Sequence, residues 1–205
     1  MNITATGARE LELADWRRQV AEIYAAVRRA PTPLEGHALW RARRNRLFQG
    51  HPQSPLAPDD VVRAALPYAP YDPQLRWELT VEPTTTERRV TIETAPGETT
   101  PLRQVGVITL PAPVDATIAV WWLEQYGGGL FIPIRDLTAG TTSYGGGRYL
   151  IDTAKGADLG GGDGQLTIDL NFLYHPSCRY DSRWQCPLAP ADNIVRAPIH
   201  AGEQL

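Results

Sequence analysis

The sequence predicts an α+β fold that is mainly β: an antiparallel β-sandwich or barrel, preceded by a helical hairpin and followed by a proline-rich wrapping segment. Apolar residues recur at helical spacing within the first 50 residues, and at a spacing of two between about residues 77 and 173. Gly and Pro contribute 18 residues each to the 205, well above the share of about 12% that is usual for the two together. This excess excludes a simple helical bundle. We expect one domain, in which a helical portion at 1–66 packs on a β core at 67–174 and an irregular tail follows at 175–205.

The helical hairpin is predicted from an apolar stripe and a capping signal. Residues 8–30 carry one narrow apolar stripe with arginines on the opposite side, which indicates an amphipathic helix. The segment 32–35 (Thr-Pro-Leu-Glu) has the form of a capping box with proline at the first helical position. A second helix is therefore expected from about Leu34 to Gln49, ending at Gly50. A short third helix over 58–66 is a further expectation.

The β core is predicted from seven stretches in which apolar and polar residues alternate or in which apolar β-formers cluster between turn residues. Each stretch is short, and no period of 20 to 50 residues repeats along the chain. Seven such strands separated by glycine-containing turns are typical of an antiparallel sandwich or barrel. The stretches are 77–82, 89–93, 105–110, 117–123, 130–134, 143–151 and 165–173.

Charge and hydropathy exclude several classes of protein. The net charge is −3, so the molecule as a whole has no field that attracts nucleic acid or an anionic membrane. The longest apolar run has six residues, 118–123, far fewer than the ~20 that span a bilayer. The N-terminus lacks the apolar stretch of a secretory signal. We therefore expect a cytoplasmic protein with neither nucleic acid nor a membrane as partner.

Motifs for common cofactors and metals are also missing. The sequence contains no P-loop, dinucleotide-binding, serine-hydrolase or zincin pattern, and no cofactor is expected. Four residues near the C-terminus are of zinc-ligand type, but their spacing matches no standard motif, so no metal is expected. They are His175, Cys178, Cys186 and His200. The two cysteines fit either a short disulfide loop or a pair of buried thiols.

The densest group of polar residues lies between Phe131 and Leu150, in the order strand, turn, strand. If residues 138–140 form the turn, Arg135 and Asp136 lie at the end of one strand. Tyr144 and Arg148 then share a face of the returning strand, because their separation is even. Arginine pairs bind carboxylates and phosphates, while aspartate and tyrosine transfer protons.

Two functional hypotheses follow from this cluster. In the first, a small-molecule site lies between the sheet and the helical hairpin, and the protein binds an anionic small molecule as a carrier or as a hydrolase or lyase without a redox cofactor. Asp136, Tyr144 and Asn171 would be catalytic, and Arg135, Arg148, Thr138 and Gly146 would bind substrate. In the alternative, the Arg/Asp/Tyr cluster is structural and the protein is a non-catalytic interaction or ligand-carrier module. An enzyme needs these groups in a concave, partly desolvated pocket, whereas a structural network has them paired and sealed.

Several blocks together resemble the bacterial and archaeal family called domain of unknown function 1684. These blocks are 131–150, 168–172, 176–180, 186–193 and 201–203, with 51–56 and 68–73 near the N-terminus. The chain departs from the family pattern at Leu170, His175 and Ser177. The family name implies no established activity, so the resemblance assigns no catalytic role to any residue.

Overall fold

The N-terminal portion forms the predicted pair of helices. The computed structural model describes residues 5–57, 59, 60, 62 and 65–205, apart from the side chains of residues 5 and 6. The helices are α1 (Ala5–Val27) and α2 (Pro33–Gly50). Thr32 caps α2, since its hydroxyl accepts the backbone N–H of Glu35 at 3.2 Å. The predicted third helix over 58–66 includes positions 58, 61, 63 and 64, which lie outside the described residues.

Among the described residues, eight strands form two antiparallel sheets. The strands are β1 (Arg76–Thr80), β2 (Arg89–Ala95), β3 (Glu98–Leu110), β4 (Ala116–Leu123), β5 (Leu130–Ile134), β6 (Arg148–Asp152), β7 (Gly161–Gly162) and β8 (Gln165–Asp169). One sheet has the order β2-β3-β4-β5-β6 and curls into a half-barrel, and the other has the order β1-β8-β7. All seven predicted strands occur, and the two-residue β7 is an addition.

Two strands are shorter than the sequence predicts. The stretch 143–151 becomes a strand only at Arg148, because Gly147 adopts a φ of +90° and residues 143–147 turn. Tyr144 and Arg148 therefore do not lie on one strand face, and that prediction is wrong. The stretch 165–173 ends as a strand at Asp169, whose carboxylate accepts the N–H of Asn171 at 3.0 Å and begins a 3-10 turn.

The two faces of the five-stranded sheet contact different partners. Alternate residues of β4 show this division. Ile118 and Val120 pack against the apolar side chains of the smaller sheet, whereas Ala119 and Trp121 pack against the helices. The structure therefore confirms the α+β, mainly β class with an N-terminal helical pair.

Within the described residues, no helix is long and apolar enough to cross a membrane.

The proline-rich tail is fixed to the sheet by hydrogen bonds rather than by regular structure. The N–H of Arg135 donates to Asn193 O at 3.0 Å, and the N–H of Val195 returns to Arg135 O at 2.9 Å. Trp121 on β4 donates its indole N–H to the side chain of Asn193 at 2.7 Å. Farther along, the N–H of Glu203 donates to Leu173 O at 2.8 Å. The wrapping segment that the prolines predict is therefore present.

Candidate functional site

Arg148 and Asp136 form a fully buried ion pair. Arg148 opens β6 and Asp136 follows β5, and the distance from Nη2 to Oδ2 is 2.8 Å with side-chain exposures of 0% and 1%. The other carboxylate oxygen of Asp136 accepts the N–H groups of Thr138 at 2.8 Å and Ile199 at 3.1 Å. Burial alone would raise the pKa of Asp136, but the charge of Arg148 and these hydrogen bonds lower it.

The same guanidinium holds the end of the chain. Arg148 donates from Nη2 to Ile199 O at 2.9 Å, and from Nη1 to Ala201 O and to Glu203 O, the latter at 3.2 Å. Both side chains are therefore buried and paired with each other, and only Nε of Arg148 lacks a hydrogen-bond partner among the described residues. This is the arrangement that the sequence analysis assigns to a structural network.

The remaining predicted residues of this segment lie around the pair. Arg135 is exposed, and its Nε donates to Gly145 O at 2.9 Å. The buried Thr138 shares a hydrogen bond with Ser143, with 2.8 Å between the hydroxyl oxygens. Gly146 is close to other side chains, because a Cβ there would lie 2.6 Å from the ring of Tyr144.

Tyr144 and Asn171 point toward two further groups of residues. The N–H of Tyr144 donates to His175 Nε2 at 3.1 Å, and burial together with the nearby Cys178 raises the pKa of the Tyr144 hydroxyl. Asn171 instead clamps Asp72, with 2.8 Å from Asp72 N to Asn171 Oδ1 and 2.8 Å from Asn171 Nδ2 to Asp72 O. The structure thus brings Asp136, Thr138 and Arg148 together and places Asn171 in a different cluster.

Glu203, which sequence reasoning did not single out as functional, is a second buried acid. Its Oε2 accepts from Arg44 Nη2 at 2.7 Å and from the N–H of His175 at 2.8 Å, and its Oε1 accepts from the hydroxyl of Tyr180. Burial opposes its ionisation, but Arg44 and the hydrogen bonds hold the pKa of Glu203 below its usual value. Glu203 therefore ties α2 to the tail.

A polar cleft of about 620 Å³ opens at the end of β6. We call it the Lys155 cleft, after the only lysine of the chain. Its walls include Arg17, Gln125, Tyr126, Asp152, Lys155 and Gln185. Lys155 Nζ lies 2.8 Å from Asp152 Oδ2. The other oxygen of Asp152 is buried and has no hydrogen-bond partner among the described residues. Burial opposes the charged form of Lys155, but the Asp152 carboxylate outweighs it and raises the pKa of Lys155.

Beside this cleft lie the two cysteines, which are free thiols in the structure. Cys178 and Cys186 are close enough for the ionisation of one to affect that of the other. The Cys178 thiol and N–H, the charge of Lys155 and the hydroxyl of Tyr149 outweigh burial and lower the pKa of Cys186 to about 6. Within the described part of the chain, no three or more His, Cys, Asp or Glu side chains are grouped to hold a metal ion.

Two buried histidines predict how stability depends on pH. Burial lowers the pKa of both His37 and His175 from 6.5 to about 4. Arg41 contributes at His37, and Arg148 and Arg44 contribute at His175, where Glu203 acts in the opposite direction. Between these pH values the unfolded chain binds more protons than the folded one. The contribution of the two neutral histidines to the free energy of unfolding is therefore fully present above pH 6.5. It is lost as the pH falls from 6.5 to about 4.

Urea unfolding of the parent protein at pH 7, 6 and 5 measures this loss. The free energy of unfolding should fall over that series, and the fall should be smaller for His37→Gln, which cannot gain the proton. A parent protein equally stable at pH 7 and pH 5 would contradict the expectation.

The fold and the clusters define an α+β, mainly β protein whose C-terminal tail is anchored by buried ion pairs and whose polar cleft adjoins two thiols. The chain belongs to the family described as Protein of unknown function (DUF1684), which it matches over residues 64–204. It is also similar to an uncharacterised protein from Haloarcula marismortui solved by solution NMR. The two are 32% identical, with a TM-score of 0.56 and coverage of 80% of this chain and 90% of that one. A search of curated proteins finds no match.

Proposed function

We propose that this protein binds a small polar molecule that carries an anionic group, and that the Lys155 cleft is its binding site. One observation carries the proposal: the cleft brings two cations, Lys155 and Arg17, together with exposed amide side chains in one polar space. The amides belong to Gln125 and Gln185, which can donate to or accept from a hydroxyl or amine of a ligand.

The cations around Asp152 specify the other half of the ligand. Lys155 and Arg17 both line the cleft, where the charge of Arg17 opposes the charged form of Lys155. Lysine offers a compact charge with three donors, of which the contact with Asp152 uses one. A carboxylate or phosphate on the ligand would therefore find two positive partners. A hydroxy acid, an amino acid or a sugar phosphate has this combination of groups.

The proposed ligand belongs to the class inferred from the sequence, but its site is the Lys155 cleft rather than the Arg/Asp/Tyr cluster. The sealed pair Asp136–Arg148 supports the structural alternative for that cluster, since a ligand cannot reach either side chain without displacing the tail.

Titration of the protein with a panel of hydroxy acids, amino acids and sugar phosphates tests the proposal. At least one compound should raise the melting temperature of the parent protein. The affinity for that compound should fall about tenfold or more in Lys155→Met, since one charge-assisted hydrogen bond contributes about 1.5–3 kcal/mol.

Neighbouring arginines on α1 provide a matched control. Arg17 lines the cleft, whereas Arg18 pairs with Asp15 at 2.7 Å on the helix surface. Arg17→Met should weaken binding and Arg18→Met should not. Equal affinity of the parent and of Lys155→Met for every compound that binds would refute the cleft as the site.

A further inference from the structure

The strand β2 is an open edge of the five-stranded sheet. It pairs with β3 on one side, and on its other side none of the described strands pairs with it. The strand contains no proline, and its register on β3 is regular until it shifts between Glu93 and Ala95. An unpaired edge of this kind is a template on which another chain can add a strand.

The odd-numbered residues of β2 direct their backbone groups to the open side. Just before the strand, Gln104 N donates to Arg88 O at 2.8 Å. The direction of hydrogen bonding alternates from residue to residue along an antiparallel pair, so the even-numbered residues bond with β3 and the odd-numbered ones do not. Pro101, which has no N–H to donate, lies opposite an odd-numbered residue and fits this alternation. The outward residues are Arg89, Thr91 and Glu93.

The side chains of β2 also alternate between two faces. Val90 and Ile92 are partly buried and pack against the apolar cluster that includes the helices. The odd-numbered side chains are exposed on the opposite face. Arg89 is 56% exposed and pairs with two glutamates of its own chain. Glu93, in contrast, has no ion-pair partner among the described residues.

We propose that two copies of this chain associate through β2, which pairs with β2 of the second copy in an antiparallel register centred on Thr91. A two-fold axis at Thr91 places Arg89 of each copy opposite Glu93 of the other. The strand is therefore complementary in charge to its own reversed copy. The unpaired Glu93 gains a cation, and the guanidinium of Arg89 has enough donors to bind it beside its own glutamates.

The same register satisfies the outward backbone groups. Facing pairs of odd-numbered residues exchange both of their hydrogen bonds, and Val90 lies across from Ile92 on the face toward the helices. A shift of the register by one residue would set outward groups against groups that already bond with β3. A shift by two residues would remove both ion pairs. Backbone and charge thus select one register.

The resulting contact is closed and small. A two-fold axis uses the same edge of both copies, so the association ends at a dimer, in which the two sheets form one continuous sheet. Five residues from each copy cover less area than a standard interface does. We therefore expect a weak dimer, with a dissociation constant between about 1 µM and 1 mM.

Sedimentation equilibrium of the parent protein from about 5 µM to about 1 mM tests the association. The weight-average mass should rise from 22.6 kDa toward twice that value. A mass that stays at that of the monomer over the whole range would overturn the proposal, and so would growth beyond the dimer. No ligand is needed, so this result is independent of the Lys155 cleft.

Exchange of charges across the axis tests the register. Arg89→Glu sets acids opposite each other and Glu93→Arg sets arginines opposite each other, so each variant alone should dimerise with an affinity about tenfold or more below that of the parent. An equimolar mixture of the two variants should form a heterodimer, because one copy then carries acids at both positions and the other carries arginines. The double variant should regain the affinity of the parent. If neither the mixture nor the double variant recovers dimerisation, the register is wrong.

Arg103→Glu is the matched control. Arg103 lies opposite Arg89 on β3 and contacts Glu124 at 3.5 Å, as Arg89 does at 3.0 Å, but it is one strand away from the edge. This variant should dimerise as the parent does. A loss as large as that of Arg89→Glu would show that overall surface charge, rather than strand pairing, holds the copies together.

Thr91→Pro tests the backbone pairing. It removes the outward N–H at the centre of the contact, and the fold should tolerate it because that N–H does not bond with β3. Melting curves verify that this variant and the charge variants are folded. A folded Thr91→Pro should stay monomeric up to about 1 mM. Dimerisation equal to that of the parent would place the interface elsewhere and overturn the proposal.

Discussion

Arg148→Ala is expected to lower the free energy of unfolding by about 3–5 kcal/mol, the usual cost of removing one member of a buried ion pair. The substitution leaves the buried carboxylate of Asp136 without its cation and removes the donor to the carbonyls of Ile199, Ala201 and Glu203. For a chain of this length such a loss lowers the melting temperature by roughly 6–20 °C. Urea unfolding at pH 7 and thermal melting both measure it.

Arg135→Ala is the matched control, since both arginines were predicted from sequence to bind substrate. Arg135 is exposed and makes a side-chain hydrogen bond with Gly145 O, so its loss should cost no more than about 1 kcal/mol. Arg148→Lys keeps the charge but loses the two-pronged geometry, and it should fall between the parent and Arg148→Ala. If Arg148→Ala were no less stable than Arg135→Ala, the structural role of the buried pair would be disproved.

The fold was predictable where a run of apolar residues is bounded by turn residues. In β4, residues 116–123 have alternate faces against different layers, and both faces are apolar, so the strand bounds can be inferred closely from the sequence. The prediction failed at 143–147 because the glycine triplet does not reveal which glycine turns the chain. A Cβ on Gly147 would lie 2.5 Å from Ile134 O. That contact across two strands fixes the turn, and it has no local signature.

The sequence predicted which residues form the polar clusters, but not which groups each of them contacts. The sequence identified Asp136 and Arg148 together. It did not identify the carbonyl groups to which Arg148 also donates, which lie about 50 residues farther along the chain. The Lys155 cleft gathers residues from α1, the β4–β5 turn, the end of β6 and the tail. In the sequence its one signal was that Lys155 is the single lysine among the 20 basic residues.

Several buried polar contacts hold the C-terminal residues to the rest of the protein. The bridge between Tyr68 and Glu203, the contacts of Arg148, and the Arg44–Glu203 pair all converge on residues 199–203. The tail has two short 3-10 turns and no strand, so buried charges that bind its carbonyl and carboxylate groups supplement its few backbone hydrogen bonds. Removal of any of these charges should therefore loosen the tail first.

Glu203→Gln is accordingly the second substitution with a large expected effect, a loss of about 3 kcal/mol or more in the free energy of unfolding at pH 7. The amide preserves the volume of the side chain but not its charge. The guanidinium of Arg44, which lies against the rings of Phe48 and Tyr174 with its side chain only 11% exposed, would remain buried without a counter-ion. Urea unfolding measures the loss.

The same chemical change at the surface provides the comparison. Glu124 pairs with Arg89 at 3.0 Å and with Arg103 at 3.5 Å, but its carboxylate is 26% exposed and both arginines are more exposed still. Exposed ion pairs contribute up to about 1 kcal/mol. Glu124→Gln should therefore lower the free energy of unfolding by less than about 1 kcal/mol. In Glu203→Gln, amide hydrogen exchange should also accelerate first at residues 199–205, ahead of β4 and β5. Equal losses of stability in the two variants would mean that Glu203 does not anchor the tail, because burial is the property that distinguishes it from Glu124.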